Sequence, residues 1–137
     1  MLIIVCPADK TNLTLDEIKT RNCPTTNTIY TVQPSDCPTD RSFRDAWSYD
    51  GSNFGINITK AKEIHKENIR FAREKKLAEL DVEFQRALET SSDTTDIVAK
   101  KQVLRDDPAQ AGISTAVTDT DLKANWDTTI LGDSPYS

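Results

Sequence analysis

Four side chains in this sequence are of the types that build a structural zinc site: the single histidine, His65, and the thiols Cys6, Cys23 and Cys37. A structural zinc takes four Cys or His ligands in paired spacings. These four are scattered, without CxxC or HExxH, so no metal site is expected. Three thiols make a poor disulfide framework. They read as small buried hydrophobes in a reducing compartment, with a Cys23–Cys37 bridge as the alternative. His65 lies between Ile64 and Lys66 in a helical run. It reads as a helix-surface or half-buried histidine, because a general base needs a positioned partner. Asp106 and Asp107 stand directly before Pro108 and read as helix-end punctuation. Phosphate-binding and nucleophile-elbow motifs are absent. The tryptophans Trp47 and Trp126 suit either interface anchors or core packing, and core packing is preferred. No catalytic, cofactor-binding or metal residue is expected, and the chain is read as not an enzyme.

Composition narrows the function further. The chain has 137 residues, 36% of them hydrophobic and 28% charged, with a formal charge of −5. That length makes one compact domain or two very small lobes. Nucleic-acid binding rests on clustered Lys and Arg, so an acidic chain without a basic block is not expected to bind it. No stretch approaches the ~20 apolar residues of a membrane span. The opening apolar run, residues 1–6, is too short for a signal peptide.

The elements that would carry any interaction fall into two parts, 1–58 and 59–137. The first is expected to be a small β-α-β lobe. Residues 2–5 read as a strand. Thr14 and Glu17 make a capping box that opens a helix over 15–21, stopped by Pro24. The β-branched and aromatic run 28–32 reads as a second strand. Asp40 would cap a short helix over 41–47 that places Phe43 and Trp47 on one face. Residues 51–55 read as a turn and 56–58 as extended.

The second part opens with the strongest local signal. Residues 59–89 lack Gly and Pro and are rich in Ala, Leu, Lys, Glu and Arg, which predicts one helix of about 45 Å, with Thr59 as its N-cap. Its charges suggest surface pairs Glu63–Lys66, Arg70–Glu74 and Lys75–Glu79. Its apolar residues point in two directions at 100° per residue. One set is Ala61, Ile64, Phe71, Ala72, Ala78 and Val82. The other is Ile69, Leu77, Leu80, Phe84, Ala87 and Leu88. Strict heptads fail, which disfavours a two-stranded coiled coil. A polar turn then leads to a helix over 96–106, antiparallel to the first, so a helical hairpin is expected. Residues 109–117 read as irregular. Thr118 should cap a last short helix carrying Leu122, Trp126 and Ile130, and residues 135–137 read as tail. The fold class is α+β.

Taken in order, the strings DRSFRDAW (40–47), KAKEIH (60–65), LAELD (77–81), FQRALE (84–89), KQVLRD (101–106) and LKANW (122–126) resemble small proteins of tailed-bacteriophage tail modules. Those are tail or tail-fibre-associated and tail-assembly proteins. Members often have Val or Ile at the positions of Cys23 and Cys37, in keeping with buried thiols. The resemblance implies no catalytic residues. It implies a structural protein of the virion, at the tail, baseplate or fibres, made in the host cytoplasm. A tail or fibre assembly chaperone outside the virion is the alternative. Expected partners are neighbouring tail or fibre proteins and further copies of the chain, with a trimer suggested by the resemblance alone. The candidate contact residues are Ile64, Phe71, Ala78, Val82 and Trp126.

Overall fold

In a computed structural model, which describes residues 4–5, 12–23 and 26–136, the long breaker-free run is a single uninterrupted helix. It is α2, Ile58–Glu89, of 32 residues, about 48 Å long at 1.5 Å per residue. Asn57, rather than Thr59, is the N-cap: its side chain accepts from the Lys60 amide at 3.1 Å. The helix ends in a Schellman motif. The Ser92 amide donates to the Ala87 carbonyl at 2.8 Å and the Ser91 amide to that of Leu88 at 3.1 Å. The motif puts Ser91 at φ +54°, in the left-handed region where a Cβ is strained and glycine is not. Ser91→Gly is expected to raise the thermal midpoint by a few degrees, about 0.5–1 kcal/mol, read by circular dichroism.

The α+β class is observed, with a two-stranded antiparallel sheet and mostly helices. The chain divides into two compact units, Met1–Thr39 with Trp47–Gly55, and Asp40–Ala46 with Ile56–Ser137. Residues 40–46, read above with the N-terminal lobe, therefore group with the helices. The reason lies in Phe43 and Ala46, both buried in the core cluster of that unit. The Asn57 amide also donates to the Ala46 carbonyl at 2.8 Å.

In the smaller unit, α1 spans Leu15–Asn22 behind the expected Thr14–Glu17 capping box. Pro24, residues 2 and 3 of the expected first strand, and Cys6 lie outside the described residues. The strand expected at 28–32 is not formed, and Ile4 and Val5 join no sheet. Among the described residues no neighbouring strand pairs with 28–32, and Ile29 and Tyr30 are exposed. β-Propensity marks a side chain that fits a pleated, half-buried surface; without a pairing partner it builds nothing. The sheet is instead the hairpin β1, Trp47–Tyr49, and β2, Phe54–Ile56. Asp50 turns it by accepting from the amides of Ser52 and Asn53 at 2.8 and 2.7 Å. Gly51 sits at φ +104°, where a Cβ would lie 3.2 Å from the Tyr30 ring.

The helix expected over 41–47 is likewise replaced, by a 3-10 turn at Arg44–Ala46 running into β1. Phe43 and Trp47 thus share no helix face. Trp47 meets Phe54 edge-on at 6.0 Å, whereas Phe43 packs on Tyr136 at 5.1 Å. Cys23 and Cys37 are free, half-buried thiols. Replacing both with Val is expected to leave the midpoint within a few degrees, because volume-matched swaps usually cost under about 1.5 kcal/mol. Loss of the cooperative melt would contradict this.

In the larger unit, α3, Thr95–Asp106, lies against α2. Arg73 Nη1 donates to the Arg105 carbonyl at 2.9 Å. Lys101 pairs with Asp81 and lies 4.9 Å over the Phe84 ring. The segment expected to be irregular contains α4, Ala111–Thr115. The single last helix is divided in two, α5, Asp119–Ala124, and α6, Thr128–Leu131. Asp127 divides them by accepting from the amides of Thr129 and Ile130, an Asx cap that starts a new helix. Thr118 caps α5 as expected, and the Asp121 side chain completes a capping box by accepting from the Thr118 amide.

Candidate functional site

Every fourth residue early in α2 faces inward: Ala61, His65 and Ile69 each have 0% exposure. His65 is therefore not on the surface, nor half-buried. Burial of a polar ring requires a partner, and Tyr136, read above as tail, supplies it from the far end of the chain. Its hydroxyl lies 2.7 Å from His65 Nδ1. Asn68 Nδ2 donates to the same hydroxyl at 3.2 Å. His65 Nε2 is buried and has no hydrogen-bond partner.

Aromatic packing closes the cluster. The His65 and Tyr136 rings stack at 5.6 Å, and Trp126 meets both edge-on. Trp126 Nε1 donates to the Gly132 carbonyl at 3.0 Å, fastening the turn that returns Tyr136 to α2. Burial alone pulls the His65 pKa down to about 4 and pushes the Tyr136 phenol up. The neutral ring is thus the resident form. It stacks on Tyr136 and meets Trp126 edge-on, and the group ties α2 to the C-terminal residues.

A second buried polar group is Asp107, at the end of α3. Gln110 donates to its Oδ1, while Oδ2 is buried and unpaired. Desolvation raises its carboxyl above the ordinary range, Asp127 adds to the rise, and Arg73 opposes it. Near the surface, Lys123 donates to Asp40, and that hydrogen bond, helped by Ser42, holds the Asp40 carboxyl at about 2. Among the described residues no three Asp, Glu, His or Cys side chains gather as metal ligands, and no helix is long and apolar enough to cross a membrane.

The five candidate contact residues separate by position. Phe71 is 82% exposed; Ala78 and Val82 are exposed beside it. Ile64 is half-buried and packs on the core cluster. Trp126 is 7% exposed and belongs to that cluster, so it is a core residue. Of the two apolar sets of α2, Ile69, Leu77 and Leu80 from one and Ala61 and Ala72 from the other lie in or against the core cluster, while Leu88 is exposed. Ile64, Phe71, Ala78 and Val82 lie within about 40° at 100° per residue, a stripe that leaves the core edge at Ile64 and is exposed at Phe71, Ala78 and Val82. The flanking ion pairs are Lys66–Glu63, Arg70–Glu67 and Lys76–Glu79. Glu63–Lys66 was expected; Arg70 and Glu79 take i±3 partners in place of those expected four away.

Sequence reasoning missed Tyr136 and the burial of His65. The 4-4-3 spacing of Ala61, His65, Ile69 and Ala72 carried the second signal. The comparisons were made against protein-family descriptions, curated proteins and solved structures, and the chain matches none of them.

Proposed function

We propose that the protein is a non-enzymatic structural component of a bacteriophage virion, seated at the tail, baseplate or tail fibres and acting through protein–protein contacts. The sequence resemblance to tail-module proteins supplies the setting. The observation that carries the contact role is Phe71, a phenylalanine with most of its surface in water on a helix about 48 Å long. Large apolar side chains gathered in a patch mark contact surfaces. Ala78 and Val82 extend the exposed part of the stripe along α2, and half-buried Ile64 begins it.

Self-association through this stripe, as a trimer, is the arrangement proposed for the isolated protein; a dimer would use the same face. In light scattering at tens of micromolar the wild type should exceed the monomer mass of 15.3 kDa. Phe71→Glu should return it to that mass, and at a dilution where both proteins are monomeric it should leave the thermal midpoint unchanged, because an inserted charge is costly only where the position is buried. A monomeric wild type, unchanged by the substitution, overturns self-association and leaves the stripe to a different protein. The virion assignment is tested by mass spectrometry of purified particles. Presence in stoichiometric amounts supports a structural component; absence from particles supports an assembly chaperone that leaves.

A further inference from the structure

Along one flank of α2, Lys62, Lys66, Arg70 and Arg73 recur at spacings of four, four and three, which places them within about 80° of arc. Across from them stand Arg105 and the turn that follows it. Between the two lies a groove of about 410 Å³. Its lining holds four cations, Lys66, Arg70, Arg73 and Arg105, and no carboxylate. This is a concentrated positive site on a chain whose formal charge is −5.

We propose that this groove binds an acidic peptide segment of a partner protein, one that brings carboxylates together with an apolar side chain. Three of the four cations are guanidinium groups, whose planar fork matches a carboxylate in two parallel hydrogen bonds. Arg73 and Arg105 have no carboxylate within ion-pair distance among the described residues. Arg73 is held in place by its bonds to the carbonyls of Leu104 and Arg105. Lys66 and Arg70 are paired only with exposed Glu63 and Glu67, contacts an incoming carboxylate can exchange at small cost.

The walls are tied together, since Lys62 Nζ donates to the Ser114 carbonyl at 2.7 Å; the groove is preformed. Pro108, Ala109 and Ile113 supply apolar lining, which suits a peptide better than a bare phosphate. Glu63 and Glu67 stand along one rim and buried Asp107 lies nearby. That arrangement admits a short anionic segment and repels a long polyphosphate backbone. The groove is distinct from the Phe71 stripe, so either can fail alone.

The test is fluorescence anisotropy of the full chain with a labelled hexapeptide of alternating acidic pairs and leucines, at low and high salt. Binding should occur at low salt, weaken as salt rises, and drop about tenfold or more in Arg70→Glu/Arg105→Glu, since reversal of a contacting charge penalises the complex strongly. Lys75→Glu/Arg86→Glu, on the opposite flank of α2, should bind as the wild type does. If the paired reversal lowers the melting temperature, Arg105→Gln replaces it, with a smaller loss expected. No binding, equal binding by groove and control variants, or tighter binding of a single-stranded oligonucleotide of equal length each overturns the proposal.

Discussion

Acidification from pH 7.5 is expected to remove about 2 kcal/mol of stability by pH 5 and about 3 kcal/mol by pH 4 through His65 alone. An imidazole ordinarily titrates near 6.5 and this one is held at about 4. Between those values the unfolded chain carries a proton that the folded chain does not. Stability is therefore fully present above about 6.5, falls as pH drops across the window, and has lost the whole contribution below about 4. Protonation would also strand a charge against the rings of Trp126 and Tyr136, so the C-terminal residues should detach from α2. Asp107, raised by burial, has the opposite sign and partly offsets the fall. The clean measurement is therefore a difference. Urea midpoints for the wild type and His65→Gln, a polar side chain that cannot be charged, should diverge as pH falls. Parallel pH profiles for the two proteins would show that His65 is not the group responsible.

Trp126→Ala is expected to cost about 3–5 kcal/mol, the range for deleting a large aromatic from a core. That is a major fraction of the 5–15 kcal/mol that holds a domain together. The indole fills space against His65 and Tyr136, and its Nε1 bond to the Gly132 carbonyl secures the final turn. Phe71→Ala should cost under about 0.5 kcal/mol, because its ring is in water. The two substitutions separate core from contact surface. Denaturant melts should show Trp126→Ala strongly destabilised at any protein concentration. Phe71→Ala should alter only concentration-dependent behaviour. Equal small losses would mean that Trp126 is not a core residue.

Much of the local structure was legible because its causes are local. α2 follows from helix propensity summed over 32 residues without a breaker. The capping boxes of Thr14–Glu17 and Thr118–Asp121 close within four residues, and both are formed. The hairpin was also within reach. Asp50 and Gly51 stand between Trp47, Tyr49 and Phe54, Ile56, a turn signal flanked by alternating apolar residues. The run 28–32 drew the strand reading instead. Propensity ranks β-branched residues without knowing whether an edge is present to pair with them.

The candidate site was less legible. Along α2 the apolar residues cover two arcs, and residue type alone makes both eligible for the core. Ile69 is inside and Phe71 outside because α3 and the C-terminal turns pack on one side of the helix, a choice made by residues far away in sequence. Asp107, read as punctuation, became a buried carboxylate for the same reason.

The sequence by itself determined the long helix, its interruption before Thr95, the capped starts of α1 and α5, and an acidic surface with no catalytic motif. All of these depend on interactions spanning one or two turns of chain. Only the tertiary structure decided that His65 is a buried neutral ring, that Tyr136 is its partner 71 positions on, and which apolar residues of α2 face water. Those outcomes rest on contacts whose energies come from desolvation and close packing between distant segments, and neither quantity is encoded in the spacing of residues along one element.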